Sequence, residues 1–210
     1  MKQLSLSEDQ PQRIALNHES YLLIYPNWLQ VPYQSLHDSI AWQQHSIRIF
    51  GREINEPRLS AWIGDPQCSY RYSQQLRLPM PWSEPLSTIR EQLNREFDTH
   101  FNSVLANLYR DGNDAMGWHS DDEKELVKDA SIASLSVGCE RRFLLREKGS
   151  KAKVGEWALG HGTLLIMAAK TQQYYEHAIA RTKKVVGERI NLTFRQINIS
   201  STEVGLIPDK

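Results

Sequence analysis

The chain has 210 residues, 40% hydrophobic and 24% charged, which suits one folded globular domain and excludes wholesale disorder. Its 25 Lys and Arg balance 25 Asp and Glu, so no global basic field announces a nucleic-acid partner, and any such binding must use a local patch. No apolar run reaches the roughly 18 residues of a membrane span, and the two cysteines, Cys68 and Cys139, are too few for a disulfide framework and fit a reducing interior.

Residues 1–20 are polar, mix charges with Pro11 and lack the apolar core of a secretory signal, so they read as a flexible N-terminal arm. Residues 21–25 form a short apolar run suited to a strand, and Leu36 with Ile40 has the spacing of a short helix. From Ser83 the pattern strengthens. Ser83 can cap, Pro85 fits a first turn, and Leu86, Ile89, Leu93 and Phe97 fall at helical spacing. Beyond that helix come period-two or short apolar runs bounded by glycines and charged turns, at 104–109, 132–137, 142–145, 163–167 and 189–197. Many short strands without intervening helices predict an antiparallel barrel or sandwich with the earlier helix packed on one face. The expected fold is mainly β with flanking helices (α+β), built on a double-stranded β-helix, or jelly roll. No internal repeat divides the chain, which reads as one domain over about 21–200 with a tail over 199–210.

The segment Gly117-Trp118-His119-Ser120-Asp121-Asp122-Glu123 carries a histidine and a carboxylate two residues apart. In extended backbone such residues project to one side, so His119 and Asp121 can offer a nitrogen and an oxygen to one ion. His177, after Tyr174 and Tyr175, is a suitable third donor, and two histidines with one carboxylate make a facial triad that leaves open positions on iron(II). Taken alone, His119 and Asp121 are also what a paired, solvated turn supplies. In 189–195 strict alternation puts Ile190, Leu192 and Phe194 on one face and Arg189, Asn191, Thr193 and Arg195 on the other. Two guanidiniums on an inward face require an anion, and a small dicarboxylate gives each a planar match; exposed arginines on an edge strand are the alternative.

These pieces, in order, resemble the AlkB-type iron(II)/2-oxoglutarate dioxygenases, closest to the animal-type branch and its bacterial relatives. The likeness runs from about 21 to 197 through Pro57-Arg58-Leu59-Ser60-Ala61-Trp62, Asn107-Leu108-Tyr109-Arg110-Asp111-Gly112, Trp118-His119-Ser120-Asp121-Asp122-Glu123, Ile132-Ala133-Ser134-Leu135-Ser136-Val137-Gly138, His161-Gly162-Thr163-Leu164-Leu165-Ile166-Met167 and the 189–195 strand. The resemblance implies that His119, Asp121 and His177 hold iron, and that Arg189 and Arg195 engage 2-oxoglutarate with Asn107 and Tyr109 completing the site. Asn191 and Thr193 are further candidates that share the arginine face. It also implies a nucleotide-recognition segment over about 45–80 ahead of a jelly-roll core over about 100–198. In that segment Tyr72 is the platform under a flipped base, Tyr70 a neighbour facing the base through its hydroxyl, and Phe50 a wedge for duplexes. Glu123 is expected at the base edge, although acidic turns usually face water. Phosphate contacts would come from the basic stretch over 140–153 and from Arg181, Lys183 and Lys184.

The activity implied is oxidative demethylation of N1-methyladenine and N3-methylcytosine in DNA, single-stranded or duplex, or in RNA. The expected cofactors are iron(II), 2-oxoglutarate and dioxygen, with succinate, carbon dioxide and formaldehyde as products. A monomer is expected in the cytoplasm, at the nucleoid in a bacterium or in the nucleus of a eukaryote, without a membrane partner. An oxygenase of proteins or small molecules, or a barrel that binds nucleic acid without catalysis, shares parts of this pattern.

Overall fold

The structure, a computed structural model, describes residues 10–49, 52–68, 70–72 and 75–199. In chain order its elements are β1 (Gln12–Asn17), β2 (Ser20–Tyr25), α1 (Tyr33–Asp38), β3 (Ser46–Ile49), β4 (Arg52–Asn55), β5 (Leu59–Gly64), β6 (Tyr70–Tyr72), β7 (Gln75–Arg77), α2 (Glu84–Phe97), β8 (Ser103–Tyr109), β9 (Met116–His119), β10 (Ile132–Gly138), β11 (Arg141–Glu147), β12 (Lys153–Leu159), β13 (Leu164–Ala169), α3 (Thr171–Tyr174), β14 (Tyr175–Ile179) and β15 (Arg189–Arg195). A seven-stranded sheet runs β1-β2-β13-β10-β15-β8-β5 and a four-stranded sheet runs β12-β11-β14-β9, with every neighbouring pair antiparallel. The hairpins β3-β4 and β6-β7 stand apart from both. No helix among the described residues is long and apolar enough to cross a membrane.

Alternation along each strand sorts the larger sheet into two buried faces. Ile190, Leu192 and Phe194 on β15, with Leu164, Ile166 and Ala168 on β13, join Leu86, Ile89 and Leu93 of α2 in one core. Leu165 and Met167 turn the other way and meet Phe143, Leu145, Trp157 and Tyr175 of the smaller sheet. Burial on both faces explains why β10, β13 and β15 contain so few exposed positions. Each fully buried aliphatic side chain of α2 contributes roughly 1.5–3 kcal/mol, so the helix is held by its stripe rather than by its caps. Between the sheets the apolar filling stops at Ser134, Ser136, Asn107 and the polar face of β15, and this interruption makes room for a site.

Two expectations change. Part of the expected N-terminal arm is ordered: β1 pairs with β2, because Ile14 and Leu16 alternate inward against the inter-sheet core while Arg13 lies 4.1 Å over the ring of Tyr21. Ser83 does precede α2, but its hydroxyl meets Ser39 Oγ at 3.3 Å and makes no capping bond; Pro85 and Glu84 occupy the first turn. β5, β12 and β14, with the hairpins β3-β4 and β6-β7, add strands to the predicted set. The tail beyond residue 199 lies outside the described residues.

Candidate active site

The two histidines arrive from neighbouring strands of the smaller sheet. His119 ends β9, and its antiparallel partner on β14 is His177, which brings their rings to 4.2 Å between centroids. Asp121 lies two residues past the strand, where the chain is tied to the segment that carries His177. The Asp121 N–H donates to Gln172 Oε1 at 2.9 Å, and Ser120 Oγ donates to Tyr175 O at 2.8 Å. One ligand atom from each of His119, Asp121 and His177 then falls within 4.8 Å of the others.

Protonation suits a cation. His119 Nδ1 sits 2.9 Å from Gly117 O, which can only accept, so the proton is on Nδ1 and the lone pair on Nε2. Burial, then the neighbouring His119, pushes His177 down to about 3, so its imidazole is neutral. Burial works against the Asp121 carboxylate, but the Arg195 guanidinium outweighs it and holds Asp121 below its ordinary value. Its Oδ2 is buried with no hydrogen-bond partner and lies 3.7 Å from His177 Nε2. An orphaned carboxylate oxygen beside two imidazoles fits a divalent ion, and the donor set of two nitrogens and one oxygen suits iron(II).

The polar face of β15 lies across from this cluster. Arg189 is fully buried; its Nη2 donates to Ser136 Oγ and Asn191 Oδ1, both at 2.8 Å. Its Nε and Nη1 are buried without hydrogen-bond partners, and among the described residues it forms no ion pair. Burial pulls its pKa down to about 10, which leaves a cation at neutral pH. Such a group is costly unless an anion completes it, so it fits a carboxylate of a bound co-substrate. Asn191 accepts from Ser134 Oγ at 2.9 Å and donates to Thr193 Oγ1 at 2.9 Å, so it wires the strand internally and leaves the Thr193 hydroxyl proton to donate. Tyr109, opposite Arg189 in register, lies with its ring 5.3 Å from that guanidinium. Asn107, Tyr109, Asn191, Thr193, Arg195 and both histidines line one inner cavity.

Arg195 is bonded to Asp121 Oδ1 and lies 3.6 Å from Glu123 Oε1, so its charge serves the metal-ligand carboxylate as well as the cavity. Two residues without a role in the sequence reading belong to the site. Arg58 Nε donates to Asn107 Oδ1 at 2.8 Å, and its Nη2 pairs with buried Glu56 at 2.8 Å. Because a guanidinium can only donate, the Asn107 amide is turned with its Nδ2 away from Arg58. Gln172 is the second, through its bond to the Asp121 backbone. Arg58 sits inside a motif already noted, whereas Gln172 has no sequence signal.

A wider outer cleft opens on the same metal-ligand cluster and is lined by Pro57, Arg58, His119, Asp121, Glu123 and Arg181, among others. Glu123 stands at its edge, raised in pKa chiefly by burial, with Oε2 unpartnered. Tyr70 and Tyr72 lie on β6, paired with β7. Phe50 lies outside the described residues. In the basic stretch expected for phosphates, Arg142, Arg146, Lys148 and Lys153 are taken up by Glu156, Glu176 and Asp122. Arg141 is buried and donates to the carbonyls of Asp111, Asp114 and Ala180. Arg181, Lys183 and Lys184 are exposed and make no ion pair among the described residues.

A family model described as the 2OG-Fe(II) oxygenase superfamily matches residues 21–195, which include every residue of both clusters. The chain belongs to this superfamily. The mouse protein named "Alpha-ketoglutarate-dependent dioxygenase alkB homolog 3" is 34% identical over 207 residues, covering 93% of this chain and 70% of its own, which places the chain in the AlkB-type group. Human "DNA oxidative demethylase ALKBH2" is 39% identical over 158 residues, 72% of this chain. The chain spans 57% and 60% of the cattle and human proteins of that name. A solved structure titled "The structure of OsALKBH1" shares the fold, with a TM-score of 0.61 over 88% of this chain and 100% of that one at 17% identity. Iron(II), 2-oxoglutarate and dioxygen are the cofactors that the superfamily implies, and the histidine–aspartate cluster and Arg189 fit the first two.

Proposed function

We propose that this oxygenase removes methyl groups from N1-methyladenine and N3-methylcytosine in DNA or RNA, with His119, Asp121 and His177 as iron ligands and Arg189 on a 2-oxoglutarate carboxylate. The observation that carries the reading is the position of the histidine–aspartate cluster. The inner cavity with the Arg195 side of β15 lies on one side of it, and an open cleft large enough for a base lies on the other.

When bound, iron(II) with dioxygen and 2-oxoglutarate supplies a two-electron oxidation of a C–H bond, and the co-substrate leaves as succinate and carbon dioxide. The chain's residues supply position and charge. Arg189 neutralises one co-substrate carboxylate in a dry setting, while the Thr193 hydroxyl and the Asn107 amide have donors to offer it. Arg195 keeps the Asp121 carboxylate ionised and oriented. Once hydroxylated, the methyl carbon leaves as formaldehyde and the ring nitrogen recovers its lone pair.

The cleft supports this substrate class. Both lesions are cationic and carry an exocyclic N–H on the methylated edge, and the unpartnered Glu123 Oε2 is an acceptor of matching charge. Arg181, Lys183 and Lys184 supply free cations for phosphates. Tyr72, and Tyr70 beside it, are proposed as the base platform, and Phe50 as the duplex wedge. The protein is proposed to act as a monomer in the cytoplasm, at the nucleoid or in the nucleus according to its cell. Mass spectrometry of methylated single-stranded DNA, duplex DNA and RNA oligonucleotides, incubated with iron(II), 2-oxoglutarate and dioxygen, tests it. Loss of one CH2 per lesion is expected, and intact lesions in all three would contradict the reading.

A further inference from the structure

Trp118 belongs to the outer cleft but to neither cluster described above. It precedes His119 on β9, and alternation sends its ring to the other side of the strand from the imidazole. β9 is the edge strand of its sheet, and 38% of Trp118 is exposed, in a residue type that is usually well buried. The Arg146 guanidinium, reaching over from β11, lies 4.2 Å from the indole centroid. Arg146 is itself anchored, since Glu176 Oε2 holds its Nε at 2.7 Å and its Nη2 at 2.6 Å. The ring is therefore oriented before any ligand arrives, and Trp118 is part-exposed at the cleft that also holds His119, Glu123 and Arg181.

We propose that Trp118, backed by Arg146, is a stacking subsite for an unpaired nucleobase next to the methylated one. The proposal rests on the nucleic-acid reading above. A part-exposed indole in a cleft that also holds Arg181 matches a ligand that alternates flat π-systems with phosphates, and a base on the ring would complete a cation–indole–base sandwich. In a duplex the neighbouring base is already stacked and paired. The subsite therefore favours single strands.

The test uses the full chain and short, dye-labelled single strands that carry one N1-methyladenine, followed by fluorescence anisotropy. In two further strands the base on the 5′ or the 3′ side of the lesion is removed, leaving an abasic sugar. Wild-type protein should bind one of the abasic strands about tenfold more weakly, the size expected of one base–aromatic stack. Trp118→Ala should bind the intact strand about tenfold more weakly and lose nothing further on that abasic strand, while Trp118→Phe keeps an intermediate penalty. Each protein is compared with itself, so a partial loss of folded protein does not move the ratio. Equal abasic penalties in wild type and Trp118→Ala, or none in wild type, would overturn the subsite while leaving the demethylase reading in place. A wild-type protein that binds no methylated strand and demethylates none would remove that reading and the subsite with it.

Discussion

Arg195 donates from Nη2 to Asp121 Oδ1, so the last residue of β15 on the larger sheet is bonded to the carboxylate that joins two histidines from the smaller sheet. Both partners are buried, at 4% exposure each. The pair closes one end of the space between the sheets and sets where the third ligand stands.

Removing one partner of such a pair strands the other. Arg195→Leu should lower the stability of the metal-free protein by about 3–5 kcal/mol, measured by urea unfolding. A loss below about 1 kcal/mol, the value of an exposed pair, would mean that the carboxylate is hydrated and the contact incidental.

Gln172→Leu should leave the fold intact but weaken binding of manganese(II), a stand-in for iron(II), by about 10–100-fold, because the Asp121 backbone loses its tie to the segment that carries His177. Ser120→Ala, which cuts the neighbouring tie to Tyr175 O, should act in the same direction. Unchanged manganese affinity in both variants would show that the loop holds its shape without α3.

Arg58→Gln should raise the KM for 2-oxoglutarate about tenfold, the cost of roughly one misdirected hydrogen bond in a dry site, because the Asn107 amide is then free to turn. Steady-state kinetics at saturating methylated oligonucleotide measure this. A change confined to oligonucleotide binding would place Arg58 in the substrate cleft alone.

Cys68 is fully buried, its thiol donates to Asn102 O at 3.3 Å, and burial raises its pKa to about 11, whereas Cys139 is half-buried. A disulfide reagent near neutral pH should therefore label one thiol per folded chain quickly and the second only on unfolding. The sign in alkali follows. The unfolded thiol ionises first, so the Cys68 contribution is complete below pH about 9 and declines as pH rises towards 11, and Cys68→Ala should flatten that decline. Rapid labelling of both thiols in the native state would contradict the buried assignment.

Much of this site is legible in the sequence because its residues declare themselves locally. The alternation in 189–195 separates Arg189, Asn191, Thr193 and Arg195 from the core face, and the spacing of His119 and Asp121 needs only extended backbone to converge. Side-chain partners set by register are not legible. The bond from Arg58 to Asn107 spans 49 positions and that from Gln172 to Asp121 spans 51, and although Arg58 lies in a noted motif, nothing in either residue's neighbours names its partner. β1 escapes notice for another reason: its sequence is polar on the solvent side and only Ile14 and Leu16 turn inward, which resembles a loose terminus until the β2 partner is in place. Asn191 shows the opposite limit, since its type suggests a ligand donor while its bonds run to Arg189, Ser134 and Thr193.

The Arg189 assignment separates binding from folding. Arg189→Met removes a buried cation that has no carboxylate to pair with among the described residues, so the ligand-free protein should melt at the same temperature or higher. The rise in melting temperature that 2-oxoglutarate gives the wild type should disappear. A large loss of stability in the ligand-free variant would identify Arg189 as structural.

The most direct test of the central claim is a paired count of products. Succinate and formaldehyde would be measured together while the protein acts on an oligonucleotide carrying N1-methyladenine, with iron(II), 2-oxoglutarate and dioxygen present. Equal amounts of the two are expected for the wild type, and neither for His177→Ala, because a histidine–aspartate pair without its third member holds the ion too weakly for turnover. Succinate without formaldehyde on methylated DNA and RNA alike would show a working oxygenase with a different substrate. Undiminished formaldehyde from His177→Ala would contradict the assignment of the metal ligands.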